Sequence, residues 1–215
     1  MDWSRVAIYV ARAIALLTAI PVHESAHAWA SWKLGDPTAK NAGRLSLNPL
    51  HHIDPFGALC MLLVGFGWAK PVPIAATTNF KHPRRDMALS AAAGPASNLL
   101  LALVCMVFYK CIYYLAPYTT LWVFLYTVVI TMVQVNITLA MFNLLPVPPL
   151  DGSRIFNMLL PPKFYFSIMR YERYILVALF ALLWLGALDV PLGYLYSGAL
   201  RALDWATAFL DLILA

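Results

Sequence analysis

Of 215 residues, 62% are hydrophobic and only 12% charged, with a net charge of +5 and a mean hydropathy of +0.72. A soluble domain carries about 25% charged residues, so this composition excludes a soluble enzyme and predicts an all-α integral membrane protein, a single membrane-embedded domain over 1–215. The positive balance does not point to nucleic acid as a partner, because in a membrane chain Lys and Arg first report topology.

Four segments are apolar over the roughly 20 residues that a span requires: 5–34, 87–115, 121–145 and 173–190. The first has no short apolar core followed by a small-residue cleavage site, so it is expected to serve as an export signal and remain. A shorter apolar stretch, 54–67, lies between the first two spans. The tail, 192–214, places Arg201, Asp204, Ala208 and Asp211 on one helical face, a pattern of an interfacial helix or of a last span with its polar stripe turned inward. Together these predict a bundle of about four to six transmembrane helices with a re-entrant or short extended segment. Its C-terminal helices fall at about 173–214.

Basic residues cluster between the spans. Lys33, Lys40 and Arg44 follow the first, Lys70, Lys81, Arg84 and Arg85 precede the second, and Arg154, Lys163, Arg170 and Arg173 follow the third. The positive-inside rule puts all three stretches in the cytoplasm, so 54–67 is expected to enter and leave on the same side; a short conventional span is the alternative. Arg5 and Arg12 run against an outside N-terminus, although Arg12 can snorkel. Cys60, Cys105 and Cys111 lack CxxC spacing and read as packed thiols.

The first span contains His23-Glu24-Ser25-Ala26-His27. Ionisable groups at membrane depth are a functional-site hypothesis by default. Positions i and i+4 share a helical face, so His23 and His27 can offer two nitrogens to one ion, with Glu24 beside them to act on water. Two imidazoles and an oxygen ligand suit zinc and leave one position open. The longer soluble-protease pattern is absent, since Ala30 and Lys33 stand where its Gly and His would fall.

A third ligand is best sought in "FNLLPVPPLDGSRI", residues 142–155. Pro146, Pro148 and Pro149 end the third span, and irregular backbone at membrane depth is tolerated where it is buried in protein or lines a watery cavity. Asp151 follows the break; a plain helix N-cap is its other reading. His51, His52 and His82, also potential ligands, sit in basic loops and read as surface or interfacial histidines.

The combination of "HESAH" in one span with Asn143-x-x-Pro146-x-x-x-Leu150-Asp151-Gly152 at the end of another resembles the site-2 protease family of intramembrane zinc metalloproteases. "GRLSLNPLHHIDPFG" (43–57), "GFGWAKPVPI" (65–74) and "AAGPASN" (92–98) resemble its compact prokaryotic members, and the likeness covers about 15–157. The chain has no length for the PDZ or CBS domain that family members often add. The resemblance implies one zinc ion (Zn2+) per chain held by His23, His27 and Asp151, Glu24 as catalytic base and Asn143 as a further site residue. It implies a multi-pass protein of the prokaryotic plasma membrane, with its active site toward the cytoplasm, that cuts membrane-protein substrates of single-span type.

Hydrolysis also requires the substrate helix to unwind. Gly65 and Gly67 allow a sharp turn, and Pro71 and Pro73 suit an edge strand with one free backbone face. Gly65, Gly67, Trp68 and Lys70 are therefore the candidate substrate-binding residues. Asn98, after Gly94-Pro95, is expected to support helix packing. Two rivals stand beside this reading: another membrane zinc protease, such as a prenyl-protein protease with a late glutamate ligand, and a non-proteolytic metal-binding membrane protein or transporter. Glu172 lacks the motif the first needs, and the second has no use for Glu24. Nothing in the sequence sets the oligomeric state.

Overall fold

A computed structural model of the chain describes residues 3–54, 56–57, 69–161 and 171–214. Three helices are long and apolar enough to cross a membrane: α1 (Trp3–Lys33), α4 (Pro83–Leu115) and α5 (Thr120–Asn143). Short helices α2 (Thr38–Asn41) and α3 (Ala76–Asn79) lie between the first two. Beyond α5 come α6 (Asp151–Asn157), α7 (Glu172–Trp184), α8 (Asp189–Ala206) and α9 (Ala208–Leu214). Leu17, Leu100, Phe108 and Val123 stay exposed on the long helices, which is the arrangement of side chains that face lipid rather than water.

The fourth expected span does not run straight. α7 and α8 meet at 83°, so they count as one broken span or a re-entrant turn. Gly186 explains the break. It sits at φ +69°, its N–H bonds the Leu183 carbonyl at 3.1 Å, and the Ala187 N–H bonds the Leu182 carbonyl at 3.0 Å. This is the Schellman ending, which requires a residue tolerant of the left-handed conformation.

The chain divides into two compact units. One comprises 1–19, 98–142 and 179–215. Its core pairs small residues (Ala11, Ala15, Ala19, Ala102, Ala140) with Val133 and Ile137, all without solvent exposure, as expected where helices associate through close backbone approach. Asn98 Nδ2 donates to Asn136 Oδ1 at 2.8 Å and to the Ala19 carbonyl at 3.2 Å. It ties helices together, as expected from its sequence. Two members of the tail's polar stripe are drawn to buried Lys110, which pairs with Asp204 Oδ1 at 2.8 Å and Asp211 Oδ2 at 2.5 Å, and Tyr114 donates to Asp211 Oδ1 at 3.2 Å, whereas Arg201 stays exposed. Cys105 and Cys111 are free thiols; Cys60 lies outside the described residues.

The other unit comprises 20–97 and 143–178. Trp32 at the end of α1 receives the Lys33 and Lys40 ammonium groups at 4.7 and 4.0 Å from its ring centre, the pairing of aromatic belt and basic loop found at membrane interfaces. Asp36 is fully buried and accepts four hydrogen bonds, from the Thr38 N–H (3.0 Å), the Thr38 hydroxyl (2.5 Å), the Ala75 N–H (2.7 Å) and Asn79 Nδ2 (2.7 Å). Arg44, also buried, donates to the carbonyls of His51, Lys70 and Pro71. These two charged groups hold the segment from Lys70 to Asn79 against the chain that follows α1.

That segment forms no strand among the described residues. It makes one isolated antiparallel bridge, Ile53 with Ala69, and the Lys70 N–H donates to the His52 carbonyl at 2.8 Å. Pro71 and Pro73 then supply no donor, so the ladder stops. The expected re-entrant stretch 54–67 and the substrate-binding candidates Gly65, Gly67 and Trp68 lie almost wholly outside the described residues. His52 departs from the sequence reading: it is fully buried, with Nε2 on the Ser46 carbonyl at 2.7 Å, whereas His51 and His82 are exposed as expected.

Candidate metal centre

The helical register of α1 brings His23 and His27 to one face, where both are buried and their Nε2 atoms lie 3.0 Å apart. α6 supplies the third group. The turn Leu144–Leu150 is closed by a Leu150 N–H to Val147 carbonyl bond of 2.9 Å, and Leu150, extended at φ −66°, ψ 155°, takes the N-cap position without a side-chain cap. Asp151 is therefore the first helical residue and not the cap. Its Oδ2 lies 3.1 Å from His23 Nε2 and 3.2 Å from His27 Nε2.

The hydrogen positions decide what this triangle is for. His27 Nδ1 is 2.7 Å from the Ser90 carbonyl, an oxygen that can only accept, so the proton is on Nδ1 and Nε2 presents its lone pair. Asp151 Oδ2 is buried and receives no well-formed hydrogen bond. Two acceptors, the His27 Nε2 lone pair and Asp151 Oδ2, lie 3.2 Å apart with His23 Nε2 at 3.0–3.1 Å from both, a convergence that is costly unless a cation or a proton lies between them. Tetrahedral zinc ligands at ~2.0–2.1 Å sit roughly 3.3 Å from one another, so the separations and the two-imidazole, one-carboxylate donor set fit a zinc ion with one open position. Among the described residues, these are the sole group of three His, Cys, Asp or Glu side chains close enough to share an ion.

Two glycines make the approach feasible. A Cβ on Gly94 would fall 2.3 Å from His27 Nε2 and 2.6 Å from His23 Cε1, so α4 can pack on the imidazoles only without a side chain there. The same helix stitches back to α1 one turn earlier, with the Ser90 hydroxyl on the His27 carbonyl at 3.3 Å. A Cβ on Gly152 would lie 2.2 Å from the Leu144 carbonyl oxygen and 2.4 Å from that of Leu145; the residue after Asp151 must be glycine for α6 to start where it does. Sequence reasoning noticed both glycines only as parts of larger motifs. It missed Ser90, which carries no motif at all.

Glu24 follows His23 on α1 and is half-buried, and Asn143, also half-buried, ends α5 ahead of the proline turn. Lys70 is exposed and its carbonyl is held by Arg44. Glu172 opens α7 and joins no ligand group.

Comparison with known proteins agrees with this geometry. The model of the family described as peptidase family M50 matches residues 115–186, a stretch that includes Asp151 but not the two histidines. A Bacillus subtilis (strain 168) protein named as a zinc metalloprotease, YwhC, is 42% identical over 174 residues, which is 75% of this chain and 74% of the relative. The chain belongs to peptidase family M50, the site-2 proteases. Proteins named as zinc metalloprotease Rip2 are more distant. That of Mycolicibacterium smegmatis is 27% identical over 69% of this chain and 57% of its own length; that of Mycobacterium tuberculosis H37Rv is 28% identical over 77% and 63%. No solved structure matches the chain. As an M50 peptidase the chain is a membrane zinc protease, which removes the prenyl-protease and transporter readings. Its substrates are membrane proteins.

Proposed function

We propose that His23, His27 and Asp151 hold the zinc ion, that Glu24 is the general base, and that the substrates are single-span membrane proteins. Cutting would take place near the cytoplasmic face of a prokaryotic plasma membrane. The observation that carries this reading is the triangle of two imidazole nitrogens and one buried carboxylate oxygen at 3.0, 3.1 and 3.2 Å. The domain is taken as 1–215, since α1 and α4 run without a linker and each contributes residues to both compact units.

A zinc ion held by His23, His27 and Asp151 would supply Lewis acidity, toward a water molecule and toward the scissile carbonyl. Glu24 takes the proton of the attacking water and returns it to the departing amide nitrogen, so that an amine leaves rather than an amide anion. The Asn143 side-chain amide donates to the oxygen on which negative charge develops. Ser90, through the Nδ1 proton of His27, keeps that imidazole in the tautomer and orientation a ligand requires.

Unwound substrate backbone would lie along Lys70–Ile74. Arg44 and Asp36 fix the two ends of this segment, and Pro71 and Pro73 leave it with acceptors but few donors toward a new strand. A cytoplasmic site is supported by Lys33, Lys40, Lys81, Arg84 and Arg85, all exposed in the connection between α1 and α4 or at the helix ends that border it.

Replacing Glu24 by Gln tests the assignment. The variant should hold zinc at one ion per chain and cleave a model transmembrane substrate at least ~10²-fold more slowly. Cleavage at the wild-type rate would remove Glu24 from the chemistry.

A further inference from the structure

α6 is only seven residues long, begins on Asp151 and has no side-chain cap at its first turn. Helices this short are not stable alone, because nucleation outweighs the few hydrogen bonds gained, so something else must hold it. The carbonyl end is where the structure supplies it. Arg84, in the first turn of α4, donates through one terminal nitrogen to the carbonyls of Asn157 at 3.1 Å, Met158 at 3.0 Å and Leu160. Asn157 is the last residue of the helix and Met158 its C-cap, where carbonyls are short of intrahelical donors, and a cation there also opposes the negative end of the helix dipole. A second tie runs beside it, Arg154 Nη1 to Met87 Sδ at 3.8 Å.

The other residues of α4 near this point face the histidines: the Ser90 carbonyl takes the His27 proton, and Gly94 packs on both imidazoles. A single helix therefore touches all three proposed ligands, two directly and the third through Arg84. We infer that Arg84 is a positioning residue that sets the place of the Asp151 carboxylate by anchoring the far end of its helix to α4. The inference rests on the reading of Asp151 as a zinc ligand.

The lever arm shows why the anchor matters. Seven residues at ~1.5 Å each make a rod about 10 Å long, so a tilt of ~5° about its C-terminal end moves Asp151 by almost 1 Å. Zinc–ligand distances tolerate roughly ±0.2 Å. Arg84 is exposed, although its guanidinium is engaged, so replacing it opens no cavity in the core.

The test uses the full chain in detergent or bilayer, with zinc affinity read by competition against a chelator and cleavage read on a model transmembrane substrate. Arg84→Ala should weaken zinc binding by about 10–100-fold, the range seen when groups that orient a ligand are lost. It should lower kcat with little change in KM and alter the visible spectrum of the cobalt-substituted protein. Arg84→Lys, which keeps a cation and three donors, should recover part of each effect. Arg85→Ala is the control, since Arg85 is exposed and its Nε pairs with Asp86 at 3.0 Å rather than with α6; it should behave as wild type. If Arg84→Ala does not accumulate, Arg84→Gln replaces it, with a smaller loss in the same direction. Wild-type zinc affinity in the Ala or Gln variant, or equal losses in the Arg84 and Arg85 variants, overturns the inference. Asp151→Asn separates the two levels: if that change leaves zinc binding intact, the ligand assignment fails as well; if it abolishes binding while Arg84→Ala does not, only the role of Arg84 fails.

Discussion

Gly94 and His27 are so close that a methyl group on the glycine would sit 2.3 Å from the imidazole Nε2. The neighbouring contact, 2.6 Å to His23 Cε1, blocks retreat in the other direction. Gly94→Ala must therefore displace at least one imidazole or push α4 away from α1. Alanine is otherwise favoured over glycine in a helix by roughly 1 kcal/mol, so the variant is expected to insert and accumulate normally. Its zinc affinity and cleavage rate should fall together by about 10–100-fold. A chelator titration and a cleavage assay on the same preparation check this, and wild-type values in both would show that α4 does not pack as described.

Asp151→Asn keeps the size of the side chain and removes its charge. As the first residue of α6, and not its cap, Asp151 owes little to capping. If it is the third ligand, zinc affinity and cleavage should both drop by orders of magnitude while the helix content of the protein is unchanged. Metal analysis after dialysis against a weak chelator reads the first, and circular dichroism reads the last.

Asp36 gives a pH dependence whose sign can be worked out. Burial pushes its carboxyl up, but the Thr38 hydroxyl, the Asn79 amide and the backbone N–H groups of Thr38 and Ala75 together hold it below the ordinary carboxylate value. A group with a lowered folded pKa contributes stability that is present above its unfolded pKa of ~3.9 and is lost as pH falls through the folded value. The thermal midpoint of the detergent-solubilised chain should therefore hold steady from about pH 7 to pH 5 and fall below about pH 4. In Asp36→Asn the midpoint at neutral pH should be lower and the acid decline shallower. The difference between the two curves isolates this residue from the other carboxylates. Parallel curves would show that Asp36 is not titrating as a hub.

Topology can be read from two exposed loop positions. In a chain whose native cysteines are replaced by alanine, Asn41→Cys and Lys81→Cys should both react with a membrane-impermeant thiol reagent only from the cytoplasmic side. Labelling from opposite sides would make 54–67 a true span and reverse one end of the map.

The sequence by itself determined the membrane class, three long spans and the pairing of the two histidines, and offered Asp151 as a candidate through its likeness to the site-2 proteases. The first three depend on local or compositional physics. Apolar length sets a span, the helical repeat puts His23 and His27 on one face whatever surrounds them, and prolines at 146, 148 and 149 end α5 wherever it is packed. Other features had no local signature. The 83° break after α7 needed Gly186 in the left-handed conformation, and a glycine in an apolar run reads equally well as helix. His52 looked like a loop histidine until the Ser46 carbonyl and the surrounding chain buried it. Ser90 orients the His27 ring through a backbone oxygen, which any residue would supply, and Arg84 reads in the sequence as one more cytoplasmic charge. What Ser90, Gly94 and Arg84 do is a matter of distances between segments 60 to 80 residues apart. A distance of that kind is fixed by how helices pack against one another, and only the tertiary structure contains it.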